Sequence, residues 1–450
     1  MSKGFSSFFE FLTRGILQDK IHKTPMFKLK PESIRHAIIK TSTINLLARG
    51  FGYLKHLSIA ILLGFSYQTD AFFMALSLLG IFLIFVDVFD SIGVPQLVFA
   101  RMKSEEEFKK LAGLLLTFTT ILAFSLTFVA LISIPLLSKI AVCFDQRTKE
   151  ATELHLLLLL PYLFLNFFFH HFGAVLRSLR YFTPYFIGEF IFSFFSFLFI
   201  ASGLYLFHSP LVLPISLSLS QFVATLYIIF VGKEFLHFSF FIDKRVKEIL
   251  KHFVFLSALY GVFHLFILVD RAFASLLGEK GVSALTYGSM VAFVLGSVLK
   301  LGHMAITPLS ETKADIQTLN RFLKFSFLVS LPVMLFLFFF PEIPVKLLFG
   351  HGKFTQTDVE LTATATKYYA ISLFLGFAWT ILYRAFQIIN WLLPVFLIAL
   401  IGILINGFFN YLLVVVYKLG IAGICLGTFV AYAFLCGISY GILMRKLKLS

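Results

Sequence analysis

The side chains of this chain that could do chemistry are few, because most of them would have to sit inside long apolar stretches. Arg49, Lys55 and His56 lie six and seven positions apart. That is about two helical turns, so the three share one face of a helix, and Asp70 opens the next apolar stretch. A cationic face of this kind can bind an anionic head group; a snorkelling Lys55 and a helix-capping Asp70 are the plainer alternative. Asp270 and Arg271 read either as a functional pair or as an ion pair at the membrane interface. Asn406 and Asn410 are four positions apart, with Thr428 on the following stretch. Side-chain oxygens on one face could coordinate a hard cation such as Na+, and amide bonding between helices is the alternative. Asp87, Asp90 and Glu189 also fall in apolar stretches. Glu189 lies deepest, where a carboxyl group is expected to be protonated or paired, and with Arg271 it is a candidate for gating or proton coupling.

Other chemistry is excluded by pattern. His170 and His171 follow Asn166 by one turn, but adjacent residues on a helix point apart, so packing rather than a metal is expected there. Cys143, Cys425 and Cys436 lack metal-ligand spacing. No Gly-rich loop ends in Lys followed by Ser or Thr, so ATP hydrolysis is not expected. Energy would have to come from ions, the membrane potential or a downhill substrate. No acidic motif sits on a large loop to hold a sugar nucleotide and a metal. The chain therefore reads as a transporter or flippase, not as an enzyme, and it calls for no cofactor beyond Na+ or H+ as candidate coupling ions.

These groups must be positioned by helices that cross a bilayer. Of 450 residues, 59% are hydrophobic and 14% charged, with mean hydropathy +0.92, whereas soluble domains run at roughly 45–50% apolar and about 25% charged. The apolar residues come in blocks long enough to cross, since ~30 Å of hydrocarbon needs about 20 helical residues. Spans are expected at 38–63, 69–97, 111–137, 154–180, 183–207, 211–231, 249–277, 282–307, 322–349, 362–387, 391–416 and 419–443. The 61 phenylalanines are read as lipid-facing and packing bulk. The formal charge of +15 could suggest nucleic acid, but the basic residues alternate loop by loop. Arg101, Lys103, Lys109, Lys110, Arg177, Arg180, Lys233, Arg321, Lys324 and Arg384 fall in one set of loops; the other set is poorer and offset by acids. The membrane reading wins: both termini are cytoplasmic and no nucleic acid is bound.

Residues 1–37 read as a basic cytoplasmic leader, with a surface-lying helix near Phe5 to Leu17. The longest inward loop, 232–248, separates an N-terminal six-helix lobe, 38–231, from a C-terminal one, 249–450. A faint repeat supports that division: AILLG at 60–64 precedes Pro95 by nearly the interval that separates ASLLG at 274–278 from Pro308. Six spans per repeat preserve orientation, so an axis along the membrane normal and a cavity between the halves are expected.

Residues 49–73 (RGFGYLKHLSIAILLGFSYQTDAFF) resemble the opening of the MurJ/MviN lipid II flippases, part of the multidrug, oligosaccharidyl-lipid and polysaccharide exporter superfamily. Arg-x-x-Gly and Thr-Asp-Ala-Phe-Phe are the specific elements. The resemblance continues at 173–184 (GAVLRSLRYFTP), 269–287 (VDRAFASLLGEKGVSALTY) and 348–354 (LFGHGKF). It implies an all-α polytopic protein of about twelve transmembrane helices, in two six-helix lobes around a central V-shaped cavity. By alternating access such a protein would carry a lipid-linked cell-wall precursor outward across a bacterial inner membrane. Membrane lipids and cell-wall synthesis proteins are the implied partners. The resemblance places substrate binding on Arg49, on Lys55 as a conservative change, and on Asp70. It places a sodium site on Asp270, Asn406, Asn410 and Thr428, with Asn410 replacing an acid. Three departures stand out. Span eight reads Tyr287, Gly288, Ser289, Met290 where an arginine is usual, an arginine pair late in span two is replaced by apolar residues near Leu83 and Ile84, and relatives commonly carry two more C-terminal helices. Export of another undecaprenyl-linked oligosaccharide, cation-coupled multidrug antiport and a non-transporting membrane scaffold are the competing expectations.

Overall fold

Hydrocarbon offers a peptide N–H or C=O no water to bond, so a spanning segment must close its backbone bonds within itself. The computed structural model describes residues 34–240, 244–294, 312–389 and 391–448 together with Glu32, Ala305 and Leu309, and among these residues the regular structure is helical. The first helices are α1 (Ile34–Leu63), α2 (Tyr67–Lys103), α3 (Glu105–Leu137), α4 (Gln146–Ser178), α5 (Phe182–Phe207), α6 (Val212–Val231) and α7 (Lys244–Ser275). They are followed by α8 (Gly281–Ala292), α9 (Ile316–Phe339), α10 (Glu342–Phe349), α11 (Gln356–Ala370), α12 (Leu373–Ile388), α13 (Leu392–Asn410) and α14 (Gly420–Lys448). Ten described helices are long and apolar enough to cross a membrane, and there are eleven if the bent pair α11–α12 counts as one span. The remaining expected span, 282–307, is described only over α8 and a few following residues; the rest of it, like Pro308 and the proposed surface helix near Phe5 to Leu17, lies outside the described residues.

Two expected spans differ from the structure in form. The stretch 322–349 divides, because Phe340 precedes Pro341 and a residue before proline is pushed out of the helical region; α9 ends at Phe339 and the short α10 follows. The span expected over 362–387 starts earlier, at Gln356, and is bent by 47° between α11 and α12. No proline or glycine lies at this break, around Ile371 and Ser372, to announce it.

The described residues form two compact units, one ending at His264 and the other beginning at Leu265, so the division falls within α7. In the first, α1 packs along α5, α2 along α4, and α6 against both α4 and α5. Phe89, Phe108, Leu115, Phe172 and Phe235 belong to its apolar core. The described part of the 232–248 loop lies on this unit: His237 Nε2 is 2.7 Å from the Lys109 carbonyl, and the Thr117 hydroxyl donates to Ser239 O at 2.9 Å. Glu32, two residues before α1, is bonded to the start of α5. Its Oε2 accepts the N–H groups of Phe182 and Thr183 at 3.1 and 3.0 Å, a carboxylate at the positive end of the helix dipole. In the second unit α8 packs on α11, α13 on α14, and α9 on α12.

Helix ends obey the same need for partners. Ser66 and Thr69 form a reciprocal cap on α2, Asp145 caps α4 through Thr148 N at 2.9 Å, and Asp315 caps α9 through Thr318 N at 3.1 Å. The two LLG triplets mark corresponding turns: Gly64 follows α1 at φ +68 and Gly278 follows α7 at φ +80, a left-handed conformation that glycine adopts without strain.

One ion pair joins two of these ends. Lys280, just before α8, reaches Asp358 Oδ1 at 2.8 Å, with the side chains 28% and 1% exposed. The other Asp358 oxygen accepts Thr355 N–H at 2.9 Å, and Thr355 Oγ1 accepts Asp358 N–H at 3.3 Å, capping α11. Lys280→Ala would strand the buried carboxylate and is expected to cost about 3 kcal/mol. Asp358→Asn keeps a cap acceptor and leaves Lys280 a path to solvent, so about 1 kcal/mol is expected. Denaturant midpoints of the two variants in detergent test this order; equal losses would refute it.

Candidate functional site

Asp270 lies near the end of α7, buried among apolar side chains. Its carboxylate is met by donors from three other helices of the same unit. Asn406 and Asn410 on α13 donate through Nδ2 to Oδ1 at 3.2 and 2.9 Å. Thr428 on α14 donates to Oδ2 at 2.7 Å, and Tyr369 on α11 donates its hydroxyl to the same oxygen at 3.4 Å. The i,i+4 spacing of the asparagines is what places both on one face of α13, and they also touch each other, Asn410 Nδ2 to Asn406 Oδ1, at 3.4 Å. Close approach of α14 to α13 depends on Gly427, because a Cβ there would overlap Asn410 Oδ1.

The backbone is irregular at two of these contacts. Tyr369 precedes the last residue of α11, at the 47° break before α12. Asn410 is the last residue of α13, and a wide π-helical turn, Tyr411–Val416, follows it. Interrupted helices and π turns loosen the local ladder and gather at functional sites. The donor set suits a small hard cation: carboxylate, amide and hydroxyl oxygens and no sulfur or imidazole. Asn410 Oδ1 is buried against Gly427 without a hydrogen-bond partner, and because both asparagines turn Nδ2 to the carboxylate, a cation beside Asp270 would require their amides to turn the oxygens inward. Arg271, read either as a functional partner of Asp270 or as its interfacial ion pair, donates Nη1 to Val282 O at 2.8 Å, and its positive charge still acts on the Asp270 carboxylate.

The proposed anion-binding residues are placed differently. Arg49 is exposed on α1, Lys55 and His56 are half-buried, and Asp70 is fully buried in the first turn of α2. His56 stacks on Phe73 with centroids 6.1 Å apart, so the Lys55 end of α1 and the Asp70 end of α2 lie at one level. About 9 Å of helical rise separates Arg49 from Lys55. Glu189 is half-buried on α5 and Asp87 is exposed on α2; the charges of both act on the Tyr162 hydroxyl of α4. The side chain of Asp90 lies outside the described residues. His171 faces Thr119, with Nδ1 and Oγ1 3.5 Å apart, whereas His170 packs on Tyr185; the pair diverges as the helical spacing predicts.

Two groups were missed. Tyr369 carries no spacing signal, since a tyrosine in an apolar span reads as bulk. Lys367 did carry one, being a lysine inside a span, the feature that singled out Arg49. Its ammonium lies over the Phe338 and Tyr368 rings, 5.0 and 5.6 Å from their centroids, an arrangement that offsets part of the cost of a cation at membrane depth.

A hydrogen bond to a charged acceptor is typically worth about 1.5–3 kcal/mol, and a loss in that range is expected for Thr428→Val. In an Asp270→Ala background the same change should cost almost nothing further, because the two side chains act as a unit. Denaturation of the two single variants and the double variant in mixed micelles checks this; strictly additive losses would contradict the assignment.

Comparison with known proteins fits this arrangement. The family model for the lipid II flippase MurJ matches residues 59–450, a range that contains Asp70 and the whole Asp270 cluster and begins after Arg49 and Lys55. A probable lipid II flippase MurJ of Aquifex aeolicus is 26% identical over 343 residues, covering 73% of this chain and 67% of that protein. One from Thermotoga maritima is 29% identical over 168 residues, 37% of this chain and 35% of its own length. Among solved structures, a lipid II flippase MurJ in an inward closed conformation superposes with TM-score 0.77 at 20% identity, covering 91% of this chain and 87% of that one. An inward-facing MATE-family multidrug transporter gives 0.73 at 15% identity, covering 91% and 98%. At such identities the structural likeness speaks for the fold, and the family match over residues 59–450 speaks for descent: this multi-pass membrane protein belongs to the lipid II flippase MurJ family.

Proposed function

We propose that this chain is a transporter that moves lipid II, an undecaprenyl-diphosphate-linked cell-wall precursor, from the cytoplasmic to the outer leaflet of a bacterial inner membrane. Both termini face the cytoplasm in this reading, as the loop-by-loop distribution of Lys and Arg favours. Arg49 and Lys55 hold the diphosphate and Asp70 sets their geometry. Cell-wall synthesis proteins that supply or consume the precursor are its natural partners.

The observation that carries the reading is the Asp270 carboxylate, shared among α7, α11, α13 and α14 through neutral donors at two interruptions of helical backbone. A ligand can shift a conformational equilibrium only by its differential affinity for the two states. A buried carboxylate at a helix break meets that condition for Na+ or H+, since binding neutralises a charge that the apolar surroundings penalise. Asp270, Asn406, Asn410 and Thr428 would hold the ion, and Glu189 and Arg271 are secondary candidates for gating.

Transport of fluorescent lipid II into the opposite leaflet of proteoliposomes, read by an impermeant quencher, tests both parts. The wild-type rate should rise with an imposed Na+ or H+ gradient, and Asp270→Asn should abolish that response. Arg49→Ala should slow transport about tenfold, the loss of one charge-assisted bond. Undiminished transport by Arg49→Ala removes the diphosphate role, and a gradient response that survives in Asp270→Asn removes the coupling role.

A further inference from the structure

Beyond the transported lipid, the region between α9 and α11 has the composition of a site for a resident one. The end of α9 leaves Phe336, Phe339 and Phe340 exposed, at 46, 66 and 55%. Pro341 then leads into α10, which at eight residues is too short to span. This helix buries Val345 and Phe349 on one side and exposes Ile343 and Leu347, at 54 and 74%, one turn apart on another. A short amphipathic helix that continues a spanning helix and keeps large apolar side chains outward is suited to the boundary between acyl chains and head groups.

Beside that helix lies a cleft of about 640 Å3. Ile343 and Leu347 form its outer wall, Phe354 and Val359 its buried floor, and Lys346 and His351 its polar edge. Lys346 pairs with Glu342, 3.0 Å away and one turn back, with the two side chains 49 and 52% exposed. A pair so open to solvent is worth at most about 1 kcal/mol, so the ammonium can turn to a stronger acceptor at little cost. The turn that follows α10 is fixed by Gly350: its N–H bonds Lys346 O at 3.0 Å, and a Cβ there would come within 2.7 Å of the same carbonyl. Exposed Lys353 adds a further positive charge next to His351.

We infer that this cleft binds an anionic membrane phospholipid, its phosphodiester held between Lys346 and His351 and its first acyl methylenes lying along Ile343 and Leu347. Charge decides the occupant. The lining itself carries Lys346, Gln356 and a histidine that donates an N–H even when neutral, and no acid; Glu342 and Glu360 lie one turn from Lys346 and Gln356 outside it, and the apolar wall requires a ligand with a hydrocarbon portion beside the phosphate. A soluble phosphate would leave that wall in water, and an apolar partner helix would leave the cations unanswered.

The test uses the purified full chain, stripped of lipid in detergent and titrated with phosphatidylglycerol, with bound lipid counted by native mass spectrometry. Wild type should retain phosphatidylglycerol at a concentration where Lys346→Ala/His351→Ala retains at least fivefold less, and Lys346→Glu should lose it to a similar degree. Lys139→Ala, which removes an exposed cation elsewhere, should bind as wild type does. Thermal unfolding of each variant confirms that these exposed positions leave the fold intact. Retention of the same lipid count by all four proteins would mean non-specific annular lipid only and would overturn the assignment. So would a preference of wild type for zwitterionic phosphatidylcholine over phosphatidylglycerol.

Discussion

The carboxylate of Asp270 must be kept in an apolar bundle, and the packing of the unit that begins at Leu265 follows from how this is done. An isolated charge at membrane depth costs at least ~2.5–3.5 kcal/mol on insertion scales. Here its two oxygens accept from two amides and two hydroxyls. Each donor comes from a helix that must therefore hold its rotation and depth against α7. Gly427 is the steric expression of that demand, since α14 can present Thr428 to the carboxylate only if the preceding residue leaves Asn410 its space. Neutral donors stabilise the charge without cancelling it. A cation or proton arriving at the site would thus change its electrostatics, whereas a salt-bridged carboxylate would already be neutralised.

The same scarcity of partners governs the helix ends. Ser66, Ser104, Asp145, Asp315 and Thr355 each accept a backbone N–H at a helix start. Two further acids are structural. Asp358 closes the cap of α11 and binds Lys280, and Glu32 caps α5 from a segment distant in sequence. At the α11–α12 bend and at the π turn after α13, by contrast, the irregular backbone adjoins side chains that bond Asp270.

Spans were legible because their signal is collective: twenty apolar residues bounded by charge survive any local ambiguity. Asn406 and Asn410 were legible because helical periodicity alone brings them together. That they face Asp270, 136 and 140 positions away, no local pattern could say, and only resemblance grouped them. Tyr369 stayed hidden because its role depends on the hydroxyl direction at a bend, and the bend itself has no proline or glycine to mark it. The division of 322–349, in contrast, was marked by Pro341, a proline two-thirds of the way along an apolar run. Spacing also overstated one feature. Arg49 and Lys55, six residues apart, lie about 120° from each other around the helix, and it is His56, at i+7, that shares the face of Arg49; one cation is accordingly exposed and the other half-buried.

The missing arginines of spans two and eight have a physical counterpart in the packing. Ile84 is buried in the apolar core of the first unit, Tyr287 is fully buried against Phe349 and Phe354, and a Cβ on Gly288 would overlap Ala365. Gly288 has no room even for a methyl group, and a guanidinium in place of Ile84 would be buried in an apolar core. Among the described residues, basic charge inside the spans includes Arg49, Arg271 and the lysines Lys55 and Lys367, the last lying over two aromatic rings. A lysine offers a point charge where an arginine offers a planar fork. A diphosphate held by such a set, as proposed, would be recognised more by charge and distance than by bidentate geometry.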